Sequence, residues 1–210
     1  MTGPDYTLEQ SIVDSCQLLV AGVDEVGRGP LAGPVTAAAV ILDATCIPVG
    51  LNDSKKLTEP RRLALLEELR TCAMISVAHA SVEEIDDLNI LRASHLAMER
   101  AVAGLPVRPA HLLIDGNMIP RGLDIPATAV IGGDARCLSI AAASIAAKIA
   151  RDTIMRDLAQ QFAGYGWDTN VGYPSKSHIS ALQSIGVTPH HRKSFKPVHN
   201  ILCKAGNLTP

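Results

Sequence analysis

The sequence predicts an α/β fold in which a five-stranded mixed sheet is flanked by helices. Three short apolar segments come first, and they can pair as an antiparallel meander. Helical and strand patterns then alternate, which is typical of parallel strands joined through helices. A long alanine-rich helical segment follows, and the composition of the chain then turns basic. We therefore expect helices on both faces of the sheet and a helical C-terminal extension after it.

The first half of the chain supplies three strands and two helices. "QLLVAGVDEV", "PVTAAAVIL" and "CAMISVAHA" are apolar runs bounded by turn residues, and each predicts a strand. "LTEPRRLALLEELR" has an early proline and regularly spaced leucines, which predict an amphipathic helix. A second helix is predicted over residues 81–104, because Ser81 and Glu84 form a capping-box pattern and Gly104 suits the end of a helix.

The second half continues the alternation. "AHLLIDG" and "ATAVIGGD" predict two further strands on either side of a loop rich in proline and glycine. A long helix is predicted from Leu138 to Phe162, and one short helix from Ser175 to Ile185, with the remaining C-terminal residues irregular. No repeat or low-complexity segment is visible in the sequence.

Composition restricts the class of protein. With 210 residues and 47% hydrophobic content, the chain can fill a core of its own. No apolar run reaches the roughly 18–20 residues of a membrane span, and "MTGPDYTLEQ" lacks the pattern of a secretion signal. We expect a cytoplasmic protein without a membrane partner. The five cysteines are widely spaced and form no CxxC pair, so neither a disulfide framework nor a zinc site is indicated.

Charge is distributed unevenly along the chain. The net charge is -2, but the residues from Val171 to the end hold five basic side chains and no acidic one, so the first 170 residues carry -7. The composition changes near residues 164–172, and we place a boundary between a catalytic part, residues 1–163, and a basic extension, residues 164–210, which together form one structural unit. A basic tail on an acidic body indicates a polyanionic partner.

Four acidic residues follow the ends of predicted strands. Asp24 and Glu25 end the first strand, Asp115 ends the fourth, and Asp134 follows the fifth. Carboxylates brought together at one sheet edge repel each other unless divalent cations lie between them. Oxygen ligands without histidine or cysteine suit Mg²⁺ or Mn²⁺. Two ions held in this way are typical of enzymes that hydrolyse phosphodiesters.

The stretch "GVDEVGRGPLAGPV" joins the first acids to a loop stripped of side chains. Neighbouring residues of a regular strand face opposite sides, so we expect the chain to leave the pleat at Glu25 if Asp24 and Glu25 serve one site. Gly27 and Gly29 allow unusual backbone angles and close approach to a ligand. The pattern matches neither the P-loop nor the dinucleotide fingerprint.

Five segments together resemble bacterial ribonuclease HII, and the resemblance extends from Leu18 to Phe195. They are "GVDEVGRGPLAGPV", "LNDSKKLTEPRR", "LLIDGN", "GGDARCLSIAAASIAAKIARD" and "GYPSKSHISAL...HRKSF". The resemblance implies a ribonuclease H-like fold and hydrolysis of the RNA strand of RNA/DNA hybrids, including cleavage at single ribonucleotides within duplex DNA. It also implies that the family's four metal-binding and catalytic acids are Asp24, Glu25, Asp115 and Asp134.

The resemblance implies substrate contacts as well. The backbone of Gly27, Arg28 and Gly29 is expected to sense the 2′-hydroxyl, with Arg28 supplying charge to a phosphate. Tyr173 is expected to pack on the sugar beside the ribonucleotide. Further family positions expected to meet phosphates are Asn52, Ser54, Lys55, Ser139, Ser144, Arg192, Lys193 and Ser194. For Ser139, Ser144 and Lys148, a role in helix packing is an equal alternative.

Some features depart from the family or leave alternatives open. Gly132 stands where a lysine often precedes the fourth acid, and Asp152 is interpreted as a structural ion-pair residue beside Arg151 rather than a ligand. The C-terminal "ILCKAGNLTP" has no aromatic pair, so no sliding-clamp tail is expected, and we expect a monomer. The alternatives are another nuclease of the same fold, such as a junction resolvase or proofreading exonuclease, and a non-catalytic nucleotide-binding module.

Overall fold

The computed structural model describes residues 3–16 and 19–206. Its strands are β1 (Val20–Val26), β2 (Val35–Leu42), β3 (Ala73–Ala80), β4 (His111–Asp115) and β5 (Ala127–Val130). Its α-helices are α1 (Thr7–Cys16), α2 (Glu59–Cys72), α3 (Val82–Leu88), α4 (Ile90–Ala103), α5 (Leu138–Gln161), α6 (Trp167–Asn170), α7 (Lys176–Ser184) and α8 (Lys196–Gly206).

The strands form one sheet in the order β3-β2-β1-β4-β5. β1, β2 and β3 pair antiparallel, as the meander predicts, and β4 and β5 extend the sheet parallel to β1. The predicted mixed sheet is therefore confirmed. Because β1, β4 and β5 run in the same direction, their C-terminal ends lie at one edge of the sheet.

Helices cover both faces of the sheet, as expected. On one face, α4 packs through small side chains such as Ala93, Ala97 and Ala101 against apolar residues of the central strands. On the other face, α2 contributes Leu65 and Leu69, and the alanine-rich first half of α5 lies against β1 and β2. Alanine side chains allow α5 to approach the sheet closely, which explains why the strand β2 is buried along its whole length.

Four helical features of the described structure differ from the sequence prediction. The helix predicted over 81–104 is two helices, because Asn89 adopts φ 70° and its side chain accepts hydrogen bonds from the backbone N–H groups of Leu91 and Arg92. Asparagine tolerates the left-handed region and also caps helices well, so it ends α3 and starts α4. The helices α1, α6 and α8 were not predicted, whereas the predicted capping box at Ser81 and Glu84 is present.

The C-terminal helices pack around a cluster of their own. Trp167, Leu182 and Val198 are fully buried there with Met155 of α5 and Leu31 of the first loop. Contacts therefore cross the predicted division at 163/164, and the division itself stays a prediction. Two earlier expectations fall partly outside the described residues: the beginning of the first strand at residues 17–18 and the end of the C-terminal tail at residues 207–210. In the described part of the chain, no helix has the length and apolar character needed to cross a bilayer.

Candidate active site

The first two acids lie on a strand that stays regular. β1 pairs with β2 without interruption through Glu25↔Ala37 and Val26↔Thr36, so the expected departure from the pleat at Glu25 is wrong. Asp24 faces the α5 layer, where Ser144 hydrogen-bonds it, and Glu25 faces the α4 layer. Both acids can serve one site because the pairing of β1 with β4 stops at Val23↔Ile114, which leaves the edge open beside them.

The other two acids lie at the same edge. Asp115 is the last residue of β4, and its Oδ1 accepts a 2.7 Å hydrogen bond from the N–H of Gly133. Asp134 lies in the short 3₁₀ turn Gly133–Ala135 that follows β5, and its side chain is nearly buried. Parallel strands thus bring Asp115 and Asp134 beside Asp24 and Glu25, as the sequence predicts.

The proximity of the acids is visible in their proton affinities. Burial raises the pKa of Asp24 well above its usual range, and the charges of Glu25, Asp115 and Asp134 raise it further, against the hydrogen bond from Ser144. Burial also raises the pKa of Asp134, as do the nearby Asp115 and Asp53, whereas Lys55 lowers it. One edge of the sheet therefore concentrates negative charge that the protein itself only partly neutralises.

Glu25 and Arg28 form the contact nearest to the open edge. Arg28 Nη1 lies 3.2 Å from Glu25 Oε1, and burial raises the pKa of Glu25 against the opposing charge and hydrogen bond of Arg28. A cavity of about 130 Å³ beside them is lined by Glu25, Arg28, Asp115 and His95, among others. Arg28 keeps about half of its side-chain surface exposed, so it can also reach a ligand in solution.

The donor set suits a hard divalent cation. It consists of carboxylate oxygens with no thiolate or imidazole among them, which favours Mg²⁺ or Mn²⁺. Within residues 3–16 and 19–206, no three histidine, cysteine or carboxylate side chains already converge on a point suited to a metal ion. Glu25 Oε1 bonds Arg28 and Asp115 Oδ1 bonds the N–H of Gly133, so each of these carboxylates has a second oxygen available to an ion.

Two buried arginines hold the glycine loop, residues 27–34, from the interior of the protein. Arg151 donates hydrogen bonds to the carbonyls of Ala32, Pro34 and Val171 at 3.0–3.1 Å. Its side chain passes directly beneath Gly27, which has φ 96°, so a side chain at residue 27 would be strained and would also collide with Arg151. Glycine is thus required at this position.

The second arginine is Arg192, and its position corrects a sequence-based expectation. It was expected to meet a phosphate, but its guanidinium is fully buried and donates to the carbonyls of the loop. The four acceptors, at 2.6–3.1 Å, belong to Gly27, Arg28, Gly33 and Pro34. Burial lowers the pKa of Arg192 to about 9, and the charge of Arg151 lowers it further, yet both groups remain cationic at neutral pH.

The residues after Arg192 also bond within the protein. The backbone N–H groups of Lys193 and Ser194 and the hydroxyl of Ser194 all donate to the carboxylate of Asp86, at 2.6–3.0 Å. The Lys193 side chain is exposed and free to meet a phosphate. The Ser194 hydroxyl is engaged with Asp86 just before α8 begins, so we assign it to anchoring that helix.

Tyr173 lies against the glycine loop. Its side chain is 41% exposed, and a methyl group added at Gly29 would come within 3.3 Å of the tyrosine ring. The preceding residue, Gly172, accepts a 2.8 Å hydrogen bond from the N–H of Leu31. The structure therefore places an exposed aromatic ring beside an exposed stretch of backbone, as expected from the sequence.

The loop at residues 52–56 reaches the same edge from the α5 side. The hydroxyl of Ser54 is buried and lies 2.9 Å from the hydroxyl of Ser144, which in turn bonds Asp24. Lys55 Nζ lies 3.8 Å from Asp134 Oδ2. Although partial burial lowers the pKa of Lys55, the surrounding carboxylates raise it overall. Ser54 and Ser144 thus support Asp24 from within.

Several other expected residues lie elsewhere or act locally. Ser139 is fully buried, and its N–H and hydroxyl both donate to Glu9 of α1, so it does not face the open edge. The Asn52 side-chain oxygen accepts from the N–H of Asp53. Asp152 is indeed an ion-pair residue, but its partner is Lys148 at 2.9 Å and not Arg151.

The structure also explains why Gly132 tolerates its departure from the family pattern. It adopts φ 63°, and a side chain added there would meet no atom within 4 Å. A lysine would find space but would have to adopt a left-handed backbone conformation. Lys55 already supplies a positive charge near Asp134.

Sequence reasoning missed three groups that shape the site. Arg151 is named in the sequence analysis only as the neighbour of Asp152. Asp53, whose charge raises the pKa of Asp134, and Glu9, which caps α5, are not named there as site residues. Only Asp53 carried a usable signal, because it lies inside the "NDSKK" motif. The partners of Arg151 and Glu9 are 20 to 130 positions away in sequence, which no local pattern reveals.

Comparisons with known proteins agree on one family. The model of the ribonuclease HII family matches residues 21–198. The ribonuclease HII of Paracoccus denitrificans is 67% identical over 209 residues, which cover all of both chains. The ribonuclease H2 of Pyrococcus horikoshii OT3 superposes with a TM-score of 0.74 at 26% identity, covering 89% of this chain and 98% of that one.

A second archaeal structure, the ribonuclease HII of Archaeoglobus fulgidus solved as a complex with PCNA, matches with a TM-score of 0.72 at 27% identity, covering 85% of this chain and 96% of that one. These matches confirm the ribonuclease H-like fold and favour the ribonuclease over the resolvase, exonuclease and nucleotide-binding alternatives. The activity they support is hydrolysis of the RNA strand in RNA/DNA hybrids. The chain belongs to the ribonuclease HII family.

Proposed function

We propose that this endoribonuclease, besides hydrolysing the RNA strand of RNA/DNA hybrids, cuts at single ribonucleotides embedded in duplex DNA. The observation that carries the proposal is the juxtaposition of four carboxylates with an exposed glycine backbone and the Tyr173 ring at one sheet edge. The carboxylates provide for phosphodiester hydrolysis, and the backbone and ring provide for recognition of a sugar. Cleavage of the P–O3′ bond by water leaves a 3′-hydroxyl and a 5′-phosphate.

The catalytic and metal-binding residues in this proposal are Asp24, Glu25, Asp115 and Asp134. Two Mg²⁺ or Mn²⁺ ions held by these carboxylates would lower the pKa of the attacking water and stabilise the charge that develops on the phosphate. Bound cations would offset the burial and the mutual repulsion that raise the pKa values of Asp24, Glu25 and Asp134. Ser144 and Ser54 keep Asp24 oriented, because their hydroxyls form a buried chain that ends on its carboxylate.

Arg28 changes its partner in this proposal. It now pairs with Glu25, and that pair is too exposed to contribute much stability. A cation held by Glu25 would compete with Arg28 for this carboxylate, and the Arg28 guanidinium would then be available to the scissile phosphate at the same edge. Lys55, Asn52 and Lys193 have exposed or half-exposed side chains in the described structure, and we assign them to neighbouring phosphates.

Recognition of the ribose depends on backbone and ring. Arg192 holds the carbonyls of Gly27, Arg28 and Gly33 toward the interior, so the loop is left to present its other main-chain groups to the substrate. A 2′-hydroxyl can hydrogen-bond such main-chain groups, and a deoxyribose cannot. The Tyr173 ring beside Gly29 can then pack on the next sugar, which favours a deoxyribose because that sugar has no hydroxyl in the way.

The hydrolytic part of the proposal is tested by replacing Asp24 or Asp115 with asparagine. Each change keeps the shape but removes a ligand charge, so we expect the rate to fall by on the order of a hundredfold or more. Initial rates are measured with Mn²⁺ on a hybrid, a duplex with one ribonucleotide and an all-DNA duplex. The matched control is Asp124→Asn, because Asp124 forms an exposed ion pair with Arg108. Near-normal turnover in either variant would refute the assignment.

The recognition part is tested by Tyr173→Ala and Gly29→Ala. Displacement of the phosphate by on the order of an ångström costs about a hundredfold in rate. We expect this loss on the single-ribonucleotide duplex and a much smaller loss on the continuous hybrid, which offers many 2′-hydroxyls and therefore alternative registers. Equal losses on both substrates, or none on the first, would show that these residues do not read the RNA–DNA junction.

The proposal includes no protein partner. We propose that the enzyme acts as a monomer. Gel filtration of the full chain at micromolar concentration tests the oligomeric state.

A further inference from the structure

Two histidines form a buried pair beneath Tyr173. His178 of α7 and His191 are both fully buried, and their Nε2 atoms lie 3.1 Å apart. The indole N–H of Trp167 donates to His178 Nε2 at 3.1 Å, and His178 Nδ1 lies 2.9 Å from the carbonyl oxygen of Tyr173. Neither the carboxylate site nor the recognition surface described above uses these two imidazoles.

The surrounding groups fix where each proton lies. The carbonyl of Tyr173 can only accept, so His178 Nδ1 carries a proton. Trp167 can only donate, so His178 Nε2 is bare, and His191 Nε2 must donate to it. On the far side of His191, Nδ1 accepts from the backbone N–H of Thr188 at 3.0 Å. Both histidines are therefore neutral, each in one defined tautomer, and all four ring nitrogens are hydrogen-bonded.

This hydrogen-bond network ends at the backbone carbonyl of Tyr173, the residue proposed to face the substrate. In residues 3–16 and 19–206, the Tyr173 carbonyl accepts from the N–H of Ser175 at 2.8 Å and from His178 Nδ1. His191 is bridged to Ala32 of the glycine loop and directly precedes Arg192. The imidazole pair thus connects the backbone that carries the Tyr173 ring with the segment that holds Gly27 and Arg28.

We propose that His178 is a positioning residue that fixes the Tyr173 ring against Gly29 and thereby sets the preference of the enzyme for an RNA–DNA junction. The inference rests on the proposed role of Tyr173 in reading that junction. Trp167 and His191 act on His178 alone, by holding it in the tautomer that donates to the Tyr173 carbonyl. The Tyr173 side chain is 41% exposed. The hydrogen bond from His178 fixes the backbone that carries the ring, and it thereby limits the movement of the ring.

Two isosteric substitutions separate positioning from packing. In His178→Asn the amide lies where Nδ1 was, so it can still donate to the Tyr173 carbonyl but no longer accepts from Trp167 and His191. In His178→Gln the amide lies where Nε2 was, so it can accept from those two groups but no longer reaches the carbonyl. Both variants remove a ring from the same buried cluster, so a merely structural role affects them alike.

The measured quantity is the ratio of kcat/KM on a single-ribonucleotide duplex to kcat/KM on a continuous hybrid. We expect His178→Gln to lower this ratio by about tenfold, as a fraction of an ångström in phosphate position would. His178→Asn should retain it within about twofold, and Mn²⁺ affinity should stay unchanged in both. Equal ratios in the two variants, or ratios that follow their melting temperatures, would overturn the inference.

Tyr173→Ala, measured in parallel, distinguishes the two levels of the argument. If Tyr173→Ala leaves the ratio unchanged, the proposed reading of the junction fails, and the inference fails with it. If Tyr173→Ala lowers the ratio and His178→Gln does not, only the inference about His178 fails. A drop with Tyr173→Ala and His178→Gln, but not with His178→Asn, supports both.

A measurement on the unmodified protein covers the case in which a variant does not fold. Nitrogen-15 spectra of the histidine rings should show a proton on Nδ1 of His178 and on Nε2 of His191. In EDTA, where no cleavage occurs, the Nδ1–H resonance of His178 should shift when a ribonucleotide-containing duplex binds and shift less with all-DNA duplex. A proton on Nε2 of His178, or identical shifts with both duplexes, would overturn the inference.

Discussion

The molecule buries charged side chains in two regions, and the two sets of charges differ in how fully their partners compensate them. At the sheet edge, four carboxylates approach each other, and mutual repulsion and burial raise the pKa values of Asp24 and Asp134. Beneath the glycine loop, Arg151 and Arg192 are also buried side by side, but together they donate to seven backbone contacts. Arg28 and Lys55 neutralise the acids only in part, whereas the arginines lack only a carboxylate partner.

The difference separates a site that acts from a scaffold that supports it. Unsatisfied carboxylates keep a high affinity for cations, so their repulsion is a cost in stability that binding can recover. The arginines have already exchanged water for carbonyl oxygens, and they fix the shape of a loop that has few side chains of its own. Removing an acid should therefore disturb chemistry, and removing an arginine should disturb structure.

The largest effect is expected from Arg192→Met. The change removes the arginine donor of the Gly27, Arg28 and Gly33 carbonyls and leaves the Pro34 carbonyl with Arg151, so we expect the free energy of unfolding to fall by about 3–5 kcal/mol. Arg156→Met is the control, because Arg156 forms an exposed pair with Glu59 and should change stability by less than about 1 kcal/mol. Urea denaturation measures both. A cost for Arg192→Met as small as that of the control would end the distinction between scaffold and site.

A lower pH should destabilise the fold through His191, which precedes Arg192, and should relieve the repulsion at the acidic edge. Burial lowers the pKa of His191 to about 4, from an ordinary value of 6.5. The unfolded chain therefore binds protons that the folded chain refuses, and stability falls as pH drops from about 6.5 to about 4, by on the order of 3 kcal/mol. In His191→Gln this part of the pH dependence should disappear in urea denaturation followed across that range. An unchanged slope would mean that His191 is not held neutral.

The same titration sharpens the comparison at the acidic edge. Because the folded pKa of Asp24 lies above its ordinary value of 3.8, the ionised carboxylate destabilises the fold once the pH exceeds the folded pKa. We expect Asp24→Asn to be more stable than the unmodified protein at pH 8, by about 1 kcal/mol or 2–4 °C, without added metal. The gain should vanish below about pH 4. A loss of stability at pH 8 would show that the carboxylates do not repel.

The smallest effect concerns Ser194, which the family resemblance assigned to a phosphate. Its hydroxyl bonds Asp86 at 2.6 Å, so Ser194→Ala should cost about 1 kcal/mol of stability and leave the KM for a hybrid unchanged. Lys193→Ala is the matched comparison, because it should raise KM and leave stability unchanged. A raised KM in Ser194→Ala would restore the phosphate contact.

Local patterns predicted the acidic region far better than the arginine scaffold. Asp24, Asp115 and Asp134 follow apolar runs that end at turn residues, and the direction of neighbouring strands is enough to bring them together. The seven hydrogen bonds of Arg151 and Arg192 join residues up to 165 positions apart in sequence, so no pattern near either arginine predicts them. Phosphate binding was the natural prediction for Arg192, because burial of an arginine depends on carbonyls that only the fold supplies.

Two local errors have local causes. The predicted helix divides at Asn89 because this one residue both adopts a positive φ and caps the helix that follows it. The predicted bend at Glu25 assumed that one site requires one face of the strand. In the structure β1 stays straight and the sheet simply ends beside it, since β4 stops pairing one residue earlier, at Ile114.

That straight strand has a consequence for engineering the enzyme. β1 is paired on both sides, with β2 and with β4, and its apolar side chains alternate between two cores. Sliding β1 by one position would move each of its side chains to the other face of the sheet. Val23 would then lie on the face that Asp24 occupies now. Asp24 and Glu25 can therefore be exchanged for other residues one at a time, but they cannot be relocated. A designer who wants a new spacing between ligands must change the residues around β1 and leave its register alone.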